Sequence, residues 1–188
     1  MDQVNKKLLI LDLDETLIHA TEQPLSYRYD FRVGHYYVYK RPEVDRFLNF
    51  CAEYLKVAVW TASSEAYADS VVGQLVGQKL SLEFIWARGR CVTKFDSENY
   101  QYLFLKDLKK VKKKGFSLES VIVVDDSPEK LSRNYGNLVR ISPFEGDQSD
   151  AELIHLMPYL KSLIPHTDVR KIEKRGWRRR LTQPPFNH

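Results

Sequence analysis

The stretch Leu8-Leu9-Ile10-Leu11-Asp12-Leu13-Asp14-Glu15-Thr16-Leu17 constrains the fold of this chain more than any other. Its apolar run reads as a buried strand, because strands covered on both faces lose the alternation of half-exposed ones. The run stops at two carboxylates spaced i, i+2, which an extended backbone points the same way. Adjacent carboxylates repel, and burying them is costly unless a cation is present. A strand that delivers Asp-x-Asp at its carboxyl end therefore calls for a metal, at the end where open α/β sheets bind ligands. On this segment alone, a strand running into a solvated acidic turn is the plainer alternative.

The segment Ser120-Val121-Ile122-Val123-Val124-Asp125-Asp126-Ser127-Pro128 repeats the design: a β-branched run, paired carboxylates, then a turn. A parallel sheet brings both acidic strand ends to one edge. Four carboxylates gathered there fit Mg²⁺, a hard cation that takes oxygen ligands and keeps waters and a substrate phosphate in its shell. Between the two segments, Val57-Ala58-Val59-Trp60-Thr61-Ala62-Ser63-Ser64 is a short apolar strand ending in hydroxyls. Ser63 or Ser64 can cap a following helix, and Thr61 can donate to a phosphoryl oxygen. Lys106, flanked by apolar residues in Phe104-Leu105-Lys106-Asp107-Leu108, in isolation reads as a solvated helix lysine.

The order of these pieces is more specific than any one of them. Asp-x-Asp-x-Thr, then Thr after a strand, then Lys, then Asp-Asp after a strand resembles the haloacid dehalogenase superfamily of aspartate-nucleophile phosphotransferases. The segments Asp12–His19, Lys40–Leu48, Trp60–Ser63, Tyr67–Asp69, Lys106–Leu108 and Val124–Pro128 are similar to the FCP/SCP-type phosphatases, which act on phosphoserine in the carboxy-terminal domain of RNA polymerase II and on other phosphoproteins. Ser149–Leu153 fits as well, so the likeness runs over roughly residues 8–170.

The resemblance implies a Mg²⁺-dependent phosphatase hydrolysing phosphoserine or phosphothreonine on a protein or peptide through an aspartyl-phosphate. Asp12 is then the nucleophile, and Asp14 the acid that protonates the leaving oxygen and the base for the hydrolytic water. Thr61 and Lys106 bind the equatorial phosphoryl oxygens. The metal falls to Asp12, the backbone carbonyl of Asp14, and Asp126, with Asp125 as a ligand, a neighbour of the ligands or the partner of Lys106. Arg88 matches a family arginine near the substrate phosphate, although Arg90 is close enough in sequence to serve. The small SCP members carry Asn where this chain has Asp126; other members share the Asp.

The rest of the chain alternates strand and helix, which predicts an α/β, Rossmann-like, mainly parallel open sheet with helices on both faces. Helices are expected over about 44–55, 64–76, 103–113 (closed by Gly115) and 150–163 (stopped by Pro165), and strands over 57–61, 82–86, 120–124 and about 138–141. One segment breaks the alternation. Ser26–Val33 alternates apolar and polar, Gly34-His35 can turn, and Tyr36–Lys40 returns, so a small β-hairpin is inserted after the first strand. Within it, Tyr29 and Phe31 are the candidates for contact with a peptide substrate; in the resembled family an insertion here contributes to recognition. The 45 positions from Thr61 to Lys106 are filled by a helix, a strand and a turn, which leaves no room for a cap domain. An uncapped site admits a residue carried on a protein, whereas the capped relatives take small metabolites.

At 188 residues with 43% hydrophobic composition, the chain is long enough for one core. Residues 1–170 are expected to form the phosphatase domain and 171–188 a basic tail. The formal charge is +4, but residues 168–188 hold seven Lys or Arg against Asp168 and Glu173, leaving the first 167 residues at −1. Such a tail suits nucleic acid or an acidic partner; a solvated terminus, frayed over Gln183–His188, is the simpler expectation. Two cysteines, Cys51 and Cys91, make no disulfide framework, and there is neither a signal-peptide core nor an apolar span near 20 residues. A monomer in a reducing intracellular compartment, cytoplasm or nucleus, is expected, without membrane contact. Two other classes fit parts of the pattern. A non-catalytic binding or scaffold relative would have lost carboxylates that are intact here. A signalling receiver domain places its acidic pair first and its phosphorylated Asp on a middle strand, the wrong order for this chain. A phosphatase of another phosphomonoester remains an alternative.

Overall fold

The computed structural model of the chain describes residues 6–77 and 80–181. In order, its elements are β1 (Leu8–Leu11), β2 (Ile18–Thr21), β3 (Phe31–Val33), β4 (Tyr36–Lys40), α1 (Val44–Tyr54), β5 (Lys56–Trp60), α2 (Glu65–Leu75), β6 (Leu82–Trp86), β7 (Val92–Asp96), β8 (Gln101–Leu105), α3 (Lys109–Lys113), β9 (Val121–Asp125), β10 (Leu138–Arg140), α4 (Glu152–Leu163) and α5 (Trp177–Leu181), with short 3-10 turns between them. Five strands form one parallel sheet in the order β10-β9-β1-β5-β6. Leu11 lies opposite Val59 on one side and Val124 on the other. The carboxyl ends of β1, β5 and β9 therefore finish level.

Side chains alternate along each central strand between two buried cores. Leu9, Leu11, Val57, Val59, Ile122 and Val124 meet α1, α2 and α4 on one face. Leu8, Ile10, Ala58, Trp60, Val121 and Val123 meet Leu108, Val111, Phe84 and Trp86 on the other. Both faces are covered, so these strands read as unbroken apolar runs. The stripe Val44, Phe47, Leu48 and Cys51 is the buried side of α1. Ser64 caps α2, accepting a hydrogen bond from the Tyr67 amide at 3.4 Å.

The hairpin insertion is present, with a left-handed Gly34 (φ 58) in its turn. Its first strand is shorter than the alternation of 26–33 predicts. Only 31–33 pair with β4, and β2 supplies a third strand on the other edge of β4. The expected helix over 103–113 is a correction. Residues 101–105 form β8, which pairs antiparallel with β7, and the helix starts only at Lys109. Leu105, Leu108 and Val111 have helical spacing, but they are buried from a strand, a turn and a helix in succession. Among the described residues between Thr61 and Lys106 there is no separate cap; α2, β6, a 3-10 turn and the β7–β8 hairpin lie there.

The segment after α4 folds back on the body. Val169 and Trp177 are buried, Trp177 stacks on Tyr159 at 5.1 Å between centroids, and its indole N–H donates to the Arg140 carbonyl at 2.8 Å. The sequence expectation of fraying over Gln183–His188 lies outside the described residues.

Candidate active site

Asp12 follows β1 without a break, its amide donating to the Val124 carbonyl at 3.1 Å. The chain then turns tightly: Leu17 N–H returns to the Leu13 carbonyl at 2.8 Å, and Glu15 takes the left-handed φ of 55°. Arg41, from the Lys40-Arg41-Pro42 segment, holds this turn from behind. Its buried guanidinium donates to the Thr16 carbonyl at 3.1 Å and makes a two-pronged pair with Asp150 at 2.8 and 2.7 Å. A planar fork matched to a carboxylate in this way is a rigid support.

The Asp12 carboxylate is 1% exposed and meets two ammonium groups. Lys106 Nζ lies 3.0 Å from Oδ1, off hydrogen-bond geometry, and Lys130 Nζ donates to Oδ2 at 2.8 Å. Lys106, wholly buried, also donates to Asp125 Oδ2 at 2.5 Å. The solvated-helix reading of Lys106 is thereby replaced: it sits just past the end of β8, and its amide is held by the Lys130 carbonyl at 2.7 Å. Burial pushes the Asp12 carboxyl up, but Lys106 and Lys130 outweigh it and hold the group below its ordinary value. Asp125 goes the other way: burial first and then the charge of Asp12 raise it to about 6.

Asp14 faces different partners. Its carboxylate accepts from the Tyr67 hydroxyl at 2.5 Å and the Ser63 hydroxyl at 2.7 Å. Burial is the largest influence and lifts Asp14 above its ordinary value, against the pull of those two hydrogen bonds. Of the two hydroxyls open to a capping role, Ser64 caps α2 and Ser63 holds Asp14. Thr61 is buried, one residue beyond β5, and its Oγ accepts from the Ser63 amide at 3.0 Å, which leaves its own proton free to donate.

Asp126 completes the acidic edge. Ser127 Oγ donates to it at 2.8 Å and Thr16 Oγ approaches at 3.5 Å. Asp12, Asp125 and Asp126 each offer an oxygen within 4.8 Å of the others. Lys130 Nζ reaches all three, at 2.8, 3.5 and 3.8 Å. An all-carboxylate oxygen set that already gathers around one positive charge, with Asp12 Oδ1 buried and accepting no hydrogen bond, fits a hard divalent cation. The Asp14 side chain is outside this trio, occupied by Tyr67 and Ser63.

Arg88 and Arg90 part company. Arg88 Nε donates to the Ala62 carbonyl at 2.7 Å, and its amide donates to the Ser63 carbonyl, so it is tied to the loop after Thr61. Arg90 lies over the Trp86 ring at 5.4 Å. In the hairpin, Tyr29 is 37% exposed and packs edge-on against Tyr37, whereas Phe31 packs partly buried on the main core. The aromatic that reaches the site is Tyr36, edge-on to Tyr67 at 6.0 Å. From the sequence, no role in the site was assigned to Lys130, Tyr67 or Ser63. The last two lay inside segments that carry the resemblance, while Lys130 follows the Asp-Asp-Ser-Pro turn with no signal beyond its nearness.

A family model described as "NLI interacting factor-like phosphatase" matches residues 7–170. The chain is 33% identical over 191 positions to the CTD nuclear envelope phosphatase 1B of Danio rerio, covering 94% of this chain and 74% of that protein. It is 35% identical over 177 positions to a probable C-terminal domain small phosphatase of Dictyostelium discoideum, covering 90% and 54%. The structure of Fcp1, an RNA polymerase II CTD phosphatase, superposes with a TM-score of 0.60 at 23% identity, over 80% of this chain and 45% of that one, which speaks for the fold. No helix among the described residues is long and apolar enough to cross a membrane. Strand order, the carboxylate edge and a family match along most of its length agree: the chain belongs to the NLI interacting factor-like phosphatases, the FCP/SCP-type branch of the haloacid dehalogenase superfamily.

Proposed function

We propose that the chain is a Mg²⁺-dependent phosphatase of phosphoserine or phosphothreonine in proteins, acting through an aspartyl-phosphate on Asp12. One observation carries the reading: Asp12 and Asp14, two positions apart, have environments that push their protonation in opposite directions. Such divergence separates a nucleophile from an acid. Asp12, kept ionised by two ammonium groups, attacks phosphorus; a P–O bond to its carboxylate forms as the bond to the seryl oxygen breaks. Asp14 gives its proton to that oxygen. It then takes a proton from water, whose oxygen attacks phosphorus and releases Asp12 and phosphate. Tyr67 and Ser63 keep Asp14 aimed through both steps.

Lys106 and Thr61 hold the equatorial oxygens as charge spreads, and Arg88, fixed to the loop after Thr61, is assigned to the incoming phosphate. Asp12, Asp125 and Asp126, with the Asp14 carbonyl, would hold Mg²⁺, which supplies positive charge to the phosphoryl oxygens and aligns them with the nucleophile. Tyr29 and Phe31 are proposed to line the approach of the peptide. The open edge above β1 and β5 supports a protein-borne substrate. We assign residues 1–170 to the phosphatase domain and 171–188 to a basic extension. A monomer in a reducing intracellular compartment is part of the proposal, supported by two buried, unpaired cysteines.

Turnover of p-nitrophenyl phosphate and of a phosphoserine peptide, each with Mg²⁺ and with chelator, tests the reading. Turnover of both that requires Mg²⁺ is expected. A stoichiometric phosphoprotein without turnover, or no reaction at all, would turn the assignment to a receiver-like or binding role.

A further inference from the structure

A groove of about 960 Å³ runs between the end of β10 and the segment from Arg170 to Arg179. Seven of its lining residues are Lys or Arg and two are Glu. The two carboxylates are already answered: Glu152 pairs with Arg178, and Glu173 with Arg175 at 2.5 Å. Arg170 is spent on Asp168 and Glu119. Arg140 and Lys171 make no ion pair at contact distance among the described residues, although Lys171 acts on Asp168 from farther off. Lys174 is 7% exposed, and its ammonium is held by the carbonyls of Gly136, Ile172 and Val169 instead of by an anion. The floor and rim of the groove thus carry positive charge that the protein does not neutralise at contact distance.

The groove opens beside the reaction site. Arg140 ends β10 opposite Asp125 in the register, and its Nε donates to the Asp126 carbonyl at 3.3 Å. A phosphorylated chain seated at Asp12 lies beside the carboxylates of Glu15 and Asp126, which disfavour further negative charge there. The groove is the neighbouring surface where such charge is attracted. An extended chain advances about 3.4 Å per residue, so a position a few residues from the target serine can reach it.

We propose that this groove binds the acidic flank of the substrate, meaning Asp, Glu or further phosphorylated residues a few positions from the phosphoserine. This rests on the phosphatase reading above and names its substrate class. The preference acts in KM, because a flank contact is the same before and during the chemistry.

The test compares three substrates: p-nitrophenyl phosphate, a phosphoserine peptide with neutral flanks, and the same peptide with Asp and Glu on both flanks. Each is given to the parent and to the double variant Lys171→Glu, Arg175→Glu, two exposed positions. The parent should favour the acidic peptide by about tenfold in kcat/KM at low salt, as two or three exposed charge pairs allow. That preference should shrink in 0.5 M NaCl (about 4 Å screening length) and vanish in the double variant, while p-nitrophenyl phosphate turnover stays unchanged. Equal kcat/KM for the two peptides in the parent, with p-nitrophenyl phosphate still turned over, overturns the inference and leaves the phosphatase. A preference that survives in the double variant overturns it too, by moving the contacts elsewhere. So does tighter binding of a fluorescent RNA oligonucleotide than of the unphosphorylated acidic peptide. No turnover of any substrate by the parent is instead the failure of the phosphatase reading itself.

Discussion

Lys106→Met should destabilise the metal-free protein strongly and in a pH-dependent way. Lys106 is wholly buried between Asp12 at 3.0 Å and Asp125 at 2.5 Å. At an effective dielectric of about 20, attraction over such distances is about 5–7 kcal/mol per contact, most of it offset by the desolvation of all three groups. Met keeps the length of the side chain but removes the charge, and breaking a buried cluster on one side costs about 3–5 kcal/mol. Lys130 still touches both carboxylates, at 2.8 and 3.5 Å, which places the loss near the lower end. For a chain of this size, about 3 kcal/mol is about 6–12 °C in Tm. The assay is thermal melting of parent and variant in chelator near pH 7.5. The gap should narrow on adding Mg²⁺, which replaces part of the missing charge. It should narrow again as pH falls from 7.5 towards about 6, because without Lys106 the variant's Asp125 takes its proton at higher pH than the parent's. A variant melting within about 2 °C of the parent at pH 7.5 in chelator would show that Lys106 does not sustain the burial of the two carboxylates.

Other expectations concern chemistry, pH and backbone. Asp12→Asn should abolish turnover of every phosphomonoester while keeping the fold; residual activity above about one part in a thousand would mean that another group attacks. In chelator, Asp125 has a folded pKa of about 6, above its unfolded value, so its ionisation opposes folding; stability should increase by an amount on the order of 2 kcal/mol as pH falls from about 7 to about 4.5, read as a rise in Tm. Asp12, depressed instead, contributes stability that is lost only at lower pH, and with saturating Mg²⁺ the slope should reverse because the metal needs ionised ligands; a metal-free Tm that falls steadily over that window contradicts the assignment. Gly146→Ala should destabilise by about 1–3 kcal/mol in urea titration, since Gly146 has a φ of 93° and an added Cβ would lie 2.4 Å from Leu25; a neutral effect would mean that this loop, whose Gly146 carbonyl accepts from the Tyr27 hydroxyl at 2.6 Å, is pliable.

How much of this was legible depends on the range over which each signal acts. β1 and β9 are read directly from composition because both faces of the sheet are covered, so each strand is an apolar run ended by its acids. The edge follows from parallel pairing, which aligns Leu11 with Val124 across more than a hundred residues. Lys106 was recognisable by order but not by element. Gln101–Leu105 joins a strand to a helix whose apolar residues fall at helical spacing, and only the pairing with Val92–Asp96 decides for strand. The contacts of Lys130, Ser63 and Tyr67 with the catalytic carboxylates could not be read in advance. Their partners lie 118, 49 and 53 positions away, and nothing local distinguishes a lysine that meets three carboxylates from one in water. The basic segment after Asp168 read as solvated because its charges dominate. Val169 and Trp177, two buried side chains among them, are what bring it back to the body.

The acid–base role of Asp14 is the step on which the proposed chemistry depends, and a rapid acid quench of Asp14→Asn tests it. With p-nitrophenyl phosphate the leaving phenolate needs no proton, so Asp12 can still be phosphorylated, while hydrolysis lacks its base. The aspartyl-phosphate should therefore persist longer than in the parent and be found on Asp12 by mass spectrometry. With a phosphoserine peptide, whose alkoxide leaves poorly, even the first step should fail and no phosphorylated protein should accumulate. Equal losses on both substrates with no trapped intermediate would contradict the account, leaving Asp14 as a structural carboxylate of Tyr67 and Ser63 and sending the proton transfers elsewhere.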